Sequence, residues 1–276
     1  MSNQRTHYVT TTDGVTIEGT VHGQGPPLVF LPGGIGDVDL DWQALLGHLA
    51  SRFTCYLPSL RGRGLSGDHP DLRLSRLVDD LVAYVDSIGE ATGLVGWSAG
   101  GMVLAVAAQT DAVDAVAAVE PTIFRLMDDQ ERAALGEAVA RMGELAAEGN
   151  MTEAARAFLG VPFNDEEIAA AGEVGDFQAT GRYVPRLLNQ LPQTMQSEGP
   201  APDDPAVLGA ISAPVLVLHG SDTKPFLAAG SRYVADHVPN ATLREIPGAG
   251  HAAPLTHPEA LAEAIMEFFS PTQQPA

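Results

Sequence analysis

Short apolar runs alternating with helically spaced segments constrain this chain more than any other feature of its 276 residues. Pro27–Leu31, Phe53–Leu57, Thr92–Trp97 and Val113–Val119 are too short to be buried helices and too apolar to be exposed loops, so they read as buried strands. Between them lie Asp39–Arg52, with Trp42, Leu45, Leu46 and Leu49 on one stripe, then Leu72–Ile88, with Leu74, Leu77, Val78, Leu81, Val82 and Val85, then Ala99–Gln109. The order β-α-β-α-β-α-β predicts an α/β fold, a mostly parallel sheet flanked by helices. Ahead of it, Tyr8–Thr12 and Val15–Val21 flank Asp13-Gly14, a hairpin turn.

The alternation stops after Glu120. Residues 121–206 hold helix-like segments (Asp128–Gly149, Thr152–Leu159, Asp165–Ala171) and no strand signal. It resumes with Pro214–His219, a helix near Leu227–His237 and the strand Ala241–Ile246. The last helix, Pro258–Phe269, is expected to open on a capping box, Thr256 with Glu259. The domain reading is therefore a core of residues 1–120 and 207–276, with 121–206 inserted as a helical cap.

Composition excludes several classes of function. Fifteen basic residues against 35 acidic give a net charge of −20, a field that repels phosphate backbones and anionic lipid, so neither nucleic acid nor membrane is an expected partner. Arg61-Gly62-Arg63-Gly64 is one isolated copy in an acidic chain and reads as a tight turn rather than an RNA-binding element. The single cysteine, Cys55, rules out an internal disulfide and a cysteine metal cluster. No H-E-x-x-H spacing occurs, so no metal and no cofactor are expected. The first residues lack a hydrophobic signal segment, which points to the cytoplasm.

Gly96-Trp97-Ser98-Ala99-Gly100 is the sharpest motif. It is G-x-S-x-G placed between an apolar strand and a small-residue helix, the setting in which a tight turn lifts a serine above the sheet. A serine hydroxyl needs a base. His251, in Pro247-Gly-Ala-Gly-His251, follows the last strand at the carboxyl edge, where open α/β sheets place their sites. Leu31-Pro32-Gly33-Gly34 follows another strand, and the Gly34 N–H beside that of Ala99 can form an oxyanion hole.

Taken in order, the hairpin start, Leu31-Pro-Gly-Gly34, Leu60-Arg-Gly-Arg-Gly-Leu-Ser66, Gly-Trp-Ser-Ala-Gly100, Val-Leu-Val-Leu-His-Gly220 and Gly-Ala-Gly-His251 resemble the α/β-hydrolase family over nearly the whole chain. Two positions depart from its usual pattern, Pro32 where His is frequent and Ser59 where Asp is frequent. The resemblance implies a triad acid at one of two places. Most members carry it after the strand that here ends at Leu218, which nominates Asp222. A subgroup that includes lactone hydrolases has a Glu after the preceding strand, which nominates Glu120. A carboxylate closing so apolar a strand is costly to bury without a partner such as an imidazole, so Glu120 is taken first and Asp222 is the alternative.

The expected function is a serine hydrolase acting on an uncharged, fairly apolar carboxylic ester or lactone through an acyl-enzyme. Residues 121–206 carry 6 Arg against 15 Asp and Glu, which disfavours strongly anionic ligands. Trp97, Phe124, Met127 and Phe158 are candidate pocket residues. Carbon–carbon bond hydrolysis, cofactor-free peroxidase chemistry and a non-catalytic ligand sensor stay open, because fold and triad do not choose among them.

Overall fold

The computed structural model describes residues 5–196 and 201–270. Eight strands form one sheet: β1 (Thr6–Thr10), β2 (Thr16–Gly23), β3 (Pro27–Leu31), β4 (Thr54–Pro58), β5 (Thr92–Trp97), β6 (Val113–Val119), β7 (Val215–Gly220) and β8 (Ala241–Ile246). Their spatial order is β1-β2-β4-β3-β5-β6-β7-β8. β2 pairs antiparallel with β1 and β4, and every other pair is parallel.

The chain steps from β3 outward to β4, then crosses back to β5 on the other side of β3. That reversal opens a crevice at the carboxyl ends of β3 and β5, where sheets of this kind bind ligands. The loops after β3, β5, β6 and β8 all emerge at this edge because those strands are parallel.

Successive residues of the central strands enter different cores, which is why their sequences are continuously apolar rather than alternating. Val29 and Leu31, with Val215 and Val217, pack in one cluster with Leu77, Leu81 and Tyr84 of helix Leu74–Ile88 and Val103 and Val106. Leu28 and Phe30, with Leu216 and Leu218, pack with Trp42, Leu45 and Leu49 and with Leu261 and Ile265 of the last helix.

The helices, in chain order, are α1 (Val38–Asp41), α2 (Gln43–Leu49), α3 (Leu74–Ile88), α4 (Val103–Ala107), α5 (Asp129–Ala147), α6 (Met151–Leu159), α7 (Asp165–Glu173), α8 (Asp176–Gly181), α9 (Val184–Met195), α10 (Pro205–Gly209), α11 (Pro225–His237), α12 (Ala253–Thr256) and α13 (Pro258–Phe269). Between β6 and β7 the described residues form helices and no strand. This segment has its own apolar cluster, built on Met142, Leu145, Ala155, Leu159, Phe177 and Leu187, and Ile35 and Ala252 of the sheet-edge loops join it.

Three local expectations change. The helix read over Asp39–Arg52 is two, α1 and α2, broken at Trp42, whose indole N–H donates to the Leu31 carbonyl at the end of β3. The segment after Ser98 opens as a 3₁₀ turn, Ser98–Met102, before α4. The Thr256–Glu259 capping box does not form. Thr256 closes the short helix α12 and its hydroxyl donates back to the Ala252 carbonyl, so His257 caps α13 without a side-chain hydrogen bond. Among the described residues the capping boxes lie in the inserted segment, Asp128 with Glu131 on α5 and Asn164 with Glu167 on α7. No helix among the described residues is long and apolar enough to cross a membrane.

Candidate active site

Ser98 follows β5 in a conformation that L-residues rarely hold, with φ at 58°. The strain persists because the surroundings determine the turn. A Cβ on Gly96 would stand 2.0 Å from the Gly100 carbonyl oxygen, and one on Gly100 would stand 2.7 Å from the Pro32 carbonyl oxygen. Only glycine lets the elbow close at these two positions, and the closure lifts the Ser98 hydroxyl over the sheet edge.

Glu120 is the one other described non-glycine residue at positive φ, 44°. Its N–H continues the ladder to the Leu218 carbonyl, and the backbone then turns sharply, carrying the side chain across the end of β7. There one carboxylate oxygen accepts the Gly220 N–H at 2.8 Å, and the other accepts the Thr223 hydroxyl at 2.8 Å and the His251 ring at 2.7 Å from Nδ1. His251 Nε2 lies 2.9 Å from Ser98 Oγ. Glu120 is fully buried and His251 nearly so.

Burial alone would raise the Glu120 carboxyl, but the hydrogen bond and charge of His251, with Gly220 and Thr223, outweigh it and hold the group below the ordinary range. An ionised carboxylate only accepts. Nδ1 therefore carries the ring proton toward Glu120, and Nε2 presents its lone pair to the serine hydroxyl. This is the arrangement in which an imidazole can remove a proton from a nucleophile.

The backbone of His251 is fixed from two sides. Trp97 Nε1 donates to its carbonyl at 2.7 Å, and the next N–H, that of Ala252, donates to Glu167 of α7. Glu167 is buried, and burial pushes its carboxyl up against the pull of the Asn164 and Ala252 N–H groups.

The structure brings Ser98, His251 and Glu120 together and leaves Asp222 apart: its carboxylate accepts the neighbouring Ser221 hydroxyl, and its carbonyl accepts the Asn164 amide of the inserted segment. Gly34 and Ala99 are neighbours across the crevice, since a Cβ on Gly34 would meet the Ala99 Cβ at 3.6 Å. Gly33, by contrast, is already engaged, donating to Asp41 at 2.7 Å.

A cavity of about 150 Å³ opens above Ser98, roughly ten times the volume that one water requires. Trp97, Phe124, Met127 and Phe158 all line it. Leu135, Phe163, Phe226 and Leu227 also line it, as do Asp41 and Asp176. No Lys or Arg is among the described residues that line it. Sequence reading misses Thr122, whose hydroxyl stands 3.2 Å from Ser98 Oγ, and Thr223, the second support of Glu120. Thr122 lies two residues past Glu120 and Thr223 one past Asp222, so a search of those loops for hydroxyls as well as acids would have found both.

A family model described as the alpha/beta hydrolase family matches residues 28–264. Among curated proteins the chain is similar to a pimeloyl-[acyl-carrier protein] methyl ester esterase of Chromobacterium violaceum, 29% identical over 255 residues covering 89% of this chain and 94% of that protein. It is also similar to a 2-(acetamidomethylene)succinate hydrolase of Mesorhizobium japonicum, 26% identical over 92% of this chain and 91% of the relative. Among solved structures, an alpha/beta hydrolase from Sphaerobacter thermophilus superposes with a TM-score of 0.76 at 27% identity, covering 96% of this chain and all of that one.

Proposed function

Since this chain belongs to the α/β-hydrolase family, we propose that it is a serine hydrolase that cleaves an uncharged, fairly apolar carboxylic ester or lactone through an acyl-enzyme. The observation that carries this reading is the relay from a buried carboxylate to a hydroxyl, Glu120 to His251 at 2.7 Å and His251 to Ser98 at 2.9 Å.

In the proposed reaction Ser98 Oγ attacks the acyl carbon while His251 Nε2 takes its proton. The imidazolium is stabilised by Glu120, and the oxyanion of the tetrahedral intermediate is held by the N–H groups of Gly34 and Ala99. His251 then returns the proton to the leaving alkoxide, leaving the acyl group on Ser98. Water, deprotonated by the same imidazole, releases the acid. In a lactone both products stay on one molecule, and the chemistry is otherwise the same.

The cavity supports the substrate class. Its walls are chiefly aliphatic and aromatic, its titratable members are Asp41, Asp176 and the relay histidine, and among the described residues it lacks the Lys or Arg that an anionic substrate needs. The helices of residues 121–206 supply much of this wall, and we take them as the lid that selects the substrate. The Chromobacterium violaceum relative is named for a methyl ester, a carboxylic ester like the one proposed here.

The test is covalent labelling by a fluorophosphonate probe, which reacts with an activated serine. Wild-type protein should label, and Ser98→Ala should not, while turnover of an uncharged ester falls by about 10⁶ where chemistry limits. Equal labelling of both proteins would end the assignment.

A further inference from the structure

The loop that carries the proposed oxyanion donor has glycine at positions 33, 34 and 36. Glycine leaves the backbone broad freedom, so the direction of the Gly34 N–H is not fixed by the loop's own residues. Something outside the loop must fix it.

Arg63 reaches that loop from the turn after β4. Its Nη1 donates to the Gly36 carbonyl at 2.7 Å and, at longer range, to the Gly33 carbonyl at 3.4 Å. Nη2 donates to the Gly34 carbonyl at 2.8 Å and to Oε1 of Gln190, on α9 of the inserted segment, at 3.0 Å. The side chain is buried, Nε has no partner, and among the described residues it forms no ion pair, although Asp37 and Asp41 lie near enough to act on its charge. A buried cation answered mainly by carbonyls is expensive. The one planar guanidinium answers the Gly36 and Gly34 carbonyls and Gln190 together, which points to a role in holding this loop.

The geometry supplies that role. In a planar trans peptide the C=O and N–H point in opposite directions. The peptide joining Gly33 to Gly34 therefore has its oxygen toward Arg63 and its N–H turned away from it, and Ala99 is the residue that Gly34 meets across the crevice. The tighter bond to the Gly34 carbonyl fixes the following peptide, so the Gly34 Cα that joins the two planes is held from both sides and the first plane, with its N–H, cannot swing freely. The cation also leaves the positive end of these peptides facing the crevice.

We propose that Arg63 is a positioning residue for the oxyanion hole, holding the loop carbonyls so that the Gly34 N–H is aimed at the oxygen of the tetrahedral intermediate. The inference rests on the proposed serine mechanism and adds to it the group that sets its electrophilic half. Because Gln190 shares Nη2, the inserted segment completes the same clamp.

The experiment compares Arg63→Gln and Arg63→Lys with wild type on an uncharged ester. Affinity for a boronic acid, which adds to the serine oxygen as a tetrahedral anion, is measured beside kcat, KM and the thermal midpoint. Arg63→Gln should lower kcat about tenfold or more, short of the ~10²–10³ that losing a whole donor costs, and weaken boronate binding in step. KM should stay within about threefold, since ground-state contacts are untouched. Arg63→Lys should regain part of kcat by restoring the charge with fewer donors, and it carries the comparison alone if the glutamine variant does not fold. Wild-type kcat and boronate affinity in a folded variant would overturn the proposal, as would a loss confined to the thermal midpoint. Labelling of Ser98→Ala by fluorophosphonate would instead remove the serine mechanism, and the role of Arg63 with it.

Discussion

At the residue scale the two carboxylates Glu120 and Asp222 are told apart by what each touches. Glu120 accepts from His251, Gly220 and Thr223, whereas Asp222 accepts a single adjacent hydroxyl. Glu120→Gln keeps the size but can present an amide N–H to Nδ1 and lock the wrong tautomer, an error worth about 10⁴ in rate in the serine-protease case. Asp222→Asn should stay within about tenfold, and kcat/KM on one ester separates the two. Asp41 offers a second prediction. Burial, aided by Asp176, pushes its carboxyl up to about 7 against the pull of the Gly33 N–H and Arg63. An unfolded Asp ionises near ~4, so between about pH 4 and 7 the folded state keeps a proton that the unfolded state has lost, and stability falls as pH rises through that window. Asp41→Asn retains an oxygen for Gly33 and removes the titration. Its thermal midpoint, relative to wild type, should be lowest below about pH 4 and climb to a plateau above about pH 7. A difference that is flat with pH would show that Asp41 ionises normally.

At the element scale, two helices of the inserted segment begin with the same device and use it differently. Glu131 of α5 closes a capping box at a solvent-exposed bond, and nothing else depends on it. Glu167 of α7 closes one while its other oxygen accepts the buried Ala252 N–H, next to His251. Glu131→Ala removes only a cap interaction, about 0.5–1 kcal/mol. Glu167→Ala also strands a buried N–H, so denaturant unfolding should show a loss nearer 1–3 kcal/mol, and kcat should fall as the histidine loop loosens. Equal losses from the two variants, with kcat unchanged, would mean that α7 does not hold that loop.

For the whole molecule, the question is what the segment between β6 and β7 does. It meets the sheet edge through Ile35 and Ala252 and through polar ties from the stretch leading into and along α9, Tyr183 to Asp37, Arg186 to the Arg61 carbonyl, and Gln190 to Arg63. Those ties recur every three or four residues, one face of a helix, while Leu187 and Leu191 on the same helix line the cavity. Replacing residues 121–206 with a short linker should therefore leave hydrolysis of a small ester measurable and remove the preference between a bulky and a small ester. Unaltered selectivity in a folded variant would place the selecting walls in the sheet domain.

The sequence by itself determined the strands, most helices, the place where the strand alternation stops, and three positions on one sheet edge, Ser98, Gly34 and His251. These were legible because periodicity and turn chemistry belong to contiguous residues, and parallel strands necessarily end at a common edge. Helices α8, α9, α10 and α12 were not read: Pro192 interrupts the pattern of α9, and the other three, of six, five and four residues, are too short to show a helical period. Only the tertiary structure shows which of Glu120 and Asp222 stands against His251, because that contact spans 131 positions of sequence and its support at Gly220 spans 100. It also gives the partners of Arg63, Asp41, Glu167, Thr122 and Thr223. Each is an ordinary polar residue in its local context, and its role comes from the loop packed against it. Buried polar groups must find partners wherever folding brings them, and no local pattern records which partner that will be.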